Sequence, residues 1–185
     1  MNIMIVGVGG QGTLLASRIL GKVAIKEGYD VKVSEVHGMS QRGGSVVTYV
    51  KYGDKVYSPI IDRGEADLIL AFEMLEAMRA LPYLKKGGKM IANTQKMNPM
   101  PVITGAMEYP ENIEEKLSAK INLQAVDALS LAEKAGTIKA VNVVLIGLLA
   151  KSMDVDKNWI DVIKETVPEK FLDVNIKAFE LGYEL

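Results

Sequence analysis

The 185-residue sequence predicts an α/β fold, a single Rossmann-like domain with a mostly parallel sheet, helices on both faces and a β-hairpin excursion. Three observations carry that expectation. Apolar runs of strand length alternate with segments of helical period along the whole chain. The first apolar run ends in a glycine-rich turn. No repeat, linker or low-complexity stretch divides the sequence, and its length suits one hydrophobic core, so residues 1–185 are read as one domain.

Ile3 to Val6 is a compact apolar strand, "GVGGQG" a glycine turn, and the following stretch repeats apolar residues at Leu15, Ile19 and Val23, one face of a helix that Gly28 ends. "VKVSEV" alternates as a second strand. It delivers the chain to "HGMSQRGG", which holds the only histidine. "SVVTYVKYGDKVYS" reads as two strands around the turn Gly53-Asp54, the antiparallel excursion. "ADLILAF" is apolar apart from Asp67, as a strand buried on both faces should be, and a helix rich in Leu, Met, Ala and Glu follows, ending near "KKGG".

"KMIANT" continues as strand, and "KMNPMPVITG" is a proline-rich loop in which Met97 and Met100 give an adaptable apolar surface. "PENIEEKLS" starts a short helix with proline and acids in its first turn, "INLQAV" is a strand, and "ALSLAEKAG" is a helix stopped by Gly136. "AVNVVLIGLLA" is apolar on every side and suits a buried helix, with Asn142 inside it. Two amphipathic helices divided at Pro168 close the chain.

Composition bounds the chemistry. A net charge of -1 without a basic patch argues against nucleic acid, and the apolar run from Ala140 to Ala150 falls short of the ~20 residues of a membrane span. With no basic segment ahead of "NIMIV", a cytoplasmic protein is expected. No cysteine is present, so this chain offers no disulfide, no thiolate nucleophile and no thiolate ligand for an iron–sulfur or zinc site. No catalytic residue and no metal ligand is assigned to it.

Gly7, Gly9 and Gly12 fit the dinucleotide fingerprint, and Gly10 and Gln11 complete the turn as candidate cofactor-binding residues. Glycine lets a ligand approach the backbone, the helix amides attract phosphate or carboxylate, and Gln11 adds a donor. The same glycines equally serve to pack the first helix closely on the sheet. Glu35, near the end of the second strand, stands at almost the spacing at which an acid would take ribose hydroxyls.

"VGVGGQGTLLASRILGKVA" followed by "SEVHGMSQRGGSVVTYVKYG" resembles the 2-oxoacid:ferredoxin oxidoreductase gamma subunit or domain, and its second motif resembles the beta subunits of the indolepyruvate branch. The likeness runs over nearly the whole chain. It implies the small subunit of an enzyme that oxidatively decarboxylates a 2-oxoacid, passes electrons to ferredoxin and forms an acyl-coenzyme A. It also implies that thiamine diphosphate and iron–sulfur clusters sit on a larger alpha subunit, with coenzyme A as co-substrate and ferredoxin reached through the complex. The sequence agrees in lacking a "GDG" stretch, since Gly53-Asp54 continues to Lys55.

On that reading "HGMSQRGG" is a contact loop at the strand ends, facing substrate or partner. Arg42 supplies a fork for carboxylate or phosphate, His37, Ser40 and Gln41 are polar contacts, and Gly43 and Gly44 permit close approach. Each has a plainer alternative: a solvated histidine, an arginine paired within its own chain, an Asn142 satisfied by backbone, methionines as core and interface filler. The competing functions are a stand-alone NAD(P)-binding Rossmann oxidoreductase and a non-catalytic nucleotide-binding module.

Overall fold

In the computed structural model, residues 1–40, 43–153 and 159–185 are described. β1 (Asn2–Val8) leads through the glycine turn to α1 (Thr13–Lys26), then to β2 (Asp30–His37) and β3 (Ser45–Gly53). β4 (Ala66–Ala71), α2 (Met74–Ala80) and β5 (Leu84–Asn93) follow, then the single turn α3 (Met100–Ile103), α4 (Ile113–Ser118) and β6 (Asn122–Val126). α5 (Ala128–Ala135), α6 (Val141–Ser152), α7 (Trp159–Thr166) and α8 (Leu172–Tyr183) complete the chain.

The six strands form one sheet in the order β2-β3-β1-β4-β5-β6. β1, β4, β5 and β6 are parallel neighbours, and β3 runs antiparallel to both β1 and β2. The alternation of residues along each strand assigns the two cores. Ile3 and Ile5 of β1 with Leu68 and Leu70 of β4 meet α1, α5, α6, α7 and α8 on one face. Met4 and Val6 with Ile69 and Ala71 meet α2 and α4 on the other. At roughly 1.5–3 kcal/mol for each large apolar side chain removed from water, these two layers are what the strand pattern encodes. α6 lies at the centre of the larger one, and Val141 to Ala150 are all buried, as expected for a helix apolar on every side.

The excursion is a hairpin, but its place differs from the expectation. β3 continues through Gly53 as one strand and pairs with the strand before it, Asp30 to His37 opposite Gly53 to Val46. The turn signal at Gly53-Asp54 therefore ends a strand and starts an irregular segment. The connection between the hairpin strands is the "HGMSQRGG" stretch itself. A strict Rossmann order would seat β2 beside β1; here β3 is inserted between them.

The helix after β4 is also shorter than expected. Pro82 lacks the amide that another turn would need, so α2 stops at Ala80 and a 3-10 turn over Leu81–Tyr83 follows. "KKGG" is thereby part of β5, where the pairing with β4 shifts register between Ala66 and Leu68. The loop after β5 contains the one-turn helix α3 behind Pro99. Among the described residues no helix is long and apolar enough to cross a membrane.

Candidate functional site

Every parallel strand ends on one rim of the sheet, and the start of β3 lies there too, because Val8 is opposite Ser45. This is the rim where open α/β sheets hold ligands. The glycine turn leaves β1 at its centre. Gly10 and Gly12 have φ of 102° and 84°, backbone that favours glycine. At Gly12 a side chain is excluded twice, since a Cβ would also lie 2.5 Å from Asn142 Nδ2. Asn142 is buried, donates from that Nδ2 to the Gly12 carbonyl at 3.4 Å, and accepts from the Val143 amide at 3.0 Å. The buried helix α6 is thus keyed to the turn. α1 starts at Thr13 with no side-chain cap and no acid in its first turn, so the positive end of its dipole is left to whatever occupies the rim.

The two sequence motifs meet directly. The Gly9 amide donates to the Gly44 carbonyl at 2.9 Å, and the Gly43 amide to the Gly9 carbonyl at 3.4 Å. Gly44 packs on Ser40 so closely that a Cβ would stand 2.6 Å from the Ser40 carbonyl oxygen. The glycines of "HGMSQRGG" therefore seat the hairpin connection against the first turn.

Gln11 has a structural occupation. Its Oε1 accepts from the Val8 amide at 2.8 Å, and its Nε2 donates to the Phe72 carbonyl at 3.1 Å and Gln95 Oε1 at 3.4 Å. Asn93, fully buried, donates to the same Phe72 carbonyl at 3.2 Å and accepts from the Ala128 amide at 3.1 Å. These amides cross-link the ends of β1, β4, β5 and the start of α5. Gly7 is inside β1, where a Cβ would crowd Gln11 Oε1 at 2.8 Å and Phe72 Cβ at 3.0 Å.

Three clefts open around the turn. The first, about 400 Å³, is lined by Gly9, Gly10, Gly12, Thr13, Leu14, Glu35, His37 and Val46. Glu35 Oε2 accepts from Thr48 Oγ1 at 3.1 Å, and the exposed His37 keeps Nδ1 3.0 Å from the Gly38 carbonyl. The second, about 450 Å³, lies between the turn and Gln95, Met97, Leu129, Ile138, Lys139 and Val141. The third, about 380 Å³, runs between the hairpin connection at Ser40, Gly43, Gly44 and Ser45 and the apolar wall of Met97, Met100 and Ile103. Its floor holds Glu73, Glu76 and Arg79. Gln41 and Arg42 lie outside the described residues.

The residues that sequence reasoning missed are on that floor. Glu73 and Glu76 are 1% and 4% exposed. Glu73 Oε1 accepts from Tyr109 Oη at 2.6 Å and the Met97 amide at 3.0 Å, while Oε2 accepts from the Glu76 amide at 2.9 Å and caps α2. Glu76 accepts from Ser45 Oγ at 2.6 Å and pairs with Arg79 Nη1 at 2.6 Å. Burial raises the Tyr109 hydroxyl well above its usual range, and the hydrogen bond to the Glu73 carboxylate adds to the rise. The only signal in the sequence is two glutamates three apart directly after a strand that is apolar apart from Asp67, a pattern that reads equally as a solvated helix face. Among the described residues no group of three or more His, Cys, Asp or Glu is placed to hold a metal ion.

Against known proteins, residues 2–185 match the family model described as pyruvate ferredoxin/flavodoxin oxidoreductase. The chain is 47% identical over 188 residues to the indolepyruvate oxidoreductase subunit IorB of Pyrococcus horikoshii, covering 98% of this chain and 93% of that protein. It is 29% identical over 182 residues to the pyruvate/ketoisovalerate oxidoreductases common subunit gamma of Thermococcus kodakarensis, covering 96% and 92%. In fold it is similar to the crystal structure of the pyruvate oxidoreductase subunit PORC of Thermotoga maritima, with a TM-score of 0.77 and 20% identity over 100% of this chain and 95% of the other.

Proposed function

Because the chain belongs to the pyruvate ferredoxin/flavodoxin oxidoreductase family, we propose that it is the small subunit of an indolepyruvate:ferredoxin oxidoreductase whose rim completes a catalytic pocket on a larger subunit. Its identity of 47% to an indolepyruvate subunit, against 29% to a gamma subunit shared by pyruvate and ketoisovalerate enzymes, supports the aromatic branch. The reaction takes a 2-oxoacid, coenzyme A and two oxidised ferredoxins to acyl-coenzyme A, carbon dioxide and two reduced ferredoxins, with release of a proton.

The observation that carries the reading is the backbone pairing of Gly9 with Gly43 and Gly44. It presents the glycine turn and the hairpin connection as one rim at the strand ends. On this reading the rim contacts the larger alpha subunit and a bound anionic group. The helix amides behind Gly12 and the Arg42 guanidinium attract negative charge. His37, Ser40 and Gln41 supply hydrogen bonds, and Gly9, Gly10, Gly43 and Gly44 let the partner approach the backbone. Thiamine diphosphate, when bound on the larger subunit, supplies the electron sink for decarboxylation, and the clusters belong there with it, since this chain has no cysteine to ligate iron. Coenzyme A enters as co-substrate.

The test is reconstitution with the cysteine-rich, thiamine-dependent larger subunit and assay of ferredoxin reduction on indolepyruvate, pyruvate and 2-oxoisovalerate. Activity that needs both subunits and favours indolepyruvate is the expected result. Replacing Arg42→Ala should lower acyl-coenzyme A formation by about tenfold or more, the scale of one lost charge-assisted contact. Unchanged kinetics and assembly would remove Arg42 from the proposal. Turnover of substrate by the isolated chain, or its tight binding of NAD(H), would overturn the subunit reading.

A further inference from the structure

Glu73, which caps α2, and Glu76 within it belong to one continuous hydrogen-bonded path. Ser45 Oγ donates to Glu76 Oε2 at 2.6 Å, the Glu76 amide donates to Glu73 Oε2 at 2.9 Å, and Tyr109 Oη and the Met97 amide donate to Glu73 Oε1 at 2.6 and 3.0 Å. Ser45 is the first residue after the hairpin connection, whereas Met97 and Tyr109 bracket the loop that carries α3. These two loops form opposite walls of the third cleft.

Burial makes this path costly to leave half made. Glu73 is 1% exposed and has no ion-pair partner among the described residues, so its charge is compensated by donors alone. A buried carboxylate held by several donors fixes them in return, because each lost donor leaves charge unsolvated. On the α3 wall the outward side chains Met100 and Ile103 are 66% and 64% exposed.

We infer that Glu73 and Glu76 are positioning residues that couple the start of β3 at Ser45, with Gly43 and Gly44 ahead of it, to the α3 loop, so that these two walls present a single preorganised surface to the larger subunit and its substrates. Neither glutamate touches reacting atoms in this account. The inference rests on the subunit reading for its functional consequence, while the coupling itself is a property of the free chain.

Two measurements test it. In amide hydrogen exchange on the free chain, Ser45→Ala should speed exchange across residues 94–110 by about tenfold, the lower end of what one hydrogen bond to a charged acceptor contributes, although Ser45 bonds to none of those residues. Ser45→Thr keeps the hydroxyl and should restore protection. In the reconstituted complex, Ser45→Ala and Tyr109→Phe should each raise KM for coenzyme A or the 2-oxoacid by about fivefold with kcat within about twofold. The double variant should resemble either single one rather than reach the ~25-fold product of independent sites. Unchanged exchange over 94–110 in Ser45→Ala, a full product in the double variant, or a fall in kcat at constant KM would overturn the inference. A wild-type complex inactive on every 2-oxoacid would instead overturn the subunit reading, and exchange on the free chain would still decide the coupling.

Discussion

Gly9 and Gly44 are hydrogen-bonded backbone to backbone at 2.9 Å, which joins a turn after the first strand to a residue 35 positions later. Both motifs recognised in the sequence are therefore parts of one structure.

Gly44→Ala tests that junction. A Cβ there would stand 2.6 Å from the Ser40 carbonyl oxygen, a backbone atom that cannot rotate away. The loop must move, and overpacking of this kind costs roughly 1–3 kcal/mol. We expect faster amide exchange at Gly9 and at least about tenfold weaker association with the larger subunit. Wild-type exchange at Gly9 would show that the contact is dispensable.

Gly12→Ala combines two penalties. The φ of 84° costs an L-residue about 1–2 kcal/mol, and the new methyl meets Asn142 Nδ2. Urea unfolding should show a loss of roughly 2–4 kcal/mol. Asn142→Ala removes the steric part, so the double variant should lose less than the sum of the two single ones. Strict additivity would mean that α6 and the glycine turn are not keyed together.

Helices α6 and α8 meet through glycines. A Cβ at Gly147 of α6 would collide with the Phe179 carbonyl, and one at Gly182 of α8 with the Val144 carbonyl. Each is a backbone contact at the centre of the larger core. Gly147→Ala and Gly182→Ala should each lower stability by about 3 kcal/mol or more despite improving helix propensity, a fall of roughly 6–12 °C in Tm. Calorimetry on either variant is sufficient, and an unchanged or raised Tm would refute the packing account.

Asp67 gives a pH dependence with a defined sign. Burial alone would raise its carboxyl, but hydrogen bonds from the Asn2 amide at 2.8 Å and Lys85 Nζ at 3.1 Å, with the charges of Lys85 and the amino terminus, hold it below the usual range. A lowered native pKa stabilises the fold above the unfolded value of about 3.9, and that contribution is lost as pH falls through the native pKa. Asp67→Asn should therefore be less stable than wild type at pH 7, by no more than about 1 kcal/mol for a partly exposed pair. The difference should shrink as pH is lowered below about 4. A difference constant from pH 7 to pH 3 in urea titrations would exclude the electrostatic origin.

How much of this was legible in the sequence follows from what each signal depends on. The alternation of Ile3 and Ile5 with Met4 and Val6 assigns both cores because burial in a strand repeats every two residues. The uniform apolarity of Val141 to Ala150 likewise identifies a buried helix, and Gly136 and Pro168 mark helix ends by their own backbone chemistry. These are local properties, carried by neighbours in the chain. The glycine turn and the family likeness were legible for the same reason.

What only the tertiary structure decided is which distant segments pair. Gly53-Asp54 is a sound local turn signal, yet β3 has eight residues of β2 available on one side and all of β1 on the other, and those pairings outweigh a hairpin with the irregular segment after Asp54. The insertion of β3 between β2 and β1 follows from that competition. The fates of Gln11, Glu73 and Glu76 are of the same kind. A polar side chain must satisfy its hydrogen bonds once buried, but whether it is buried depends on Phe72, Gln95, Met97 and Tyr109 arriving from elsewhere in the chain. Periodicity reports the face a residue turns to the core, and only the assembled fold supplies the partner it finds there.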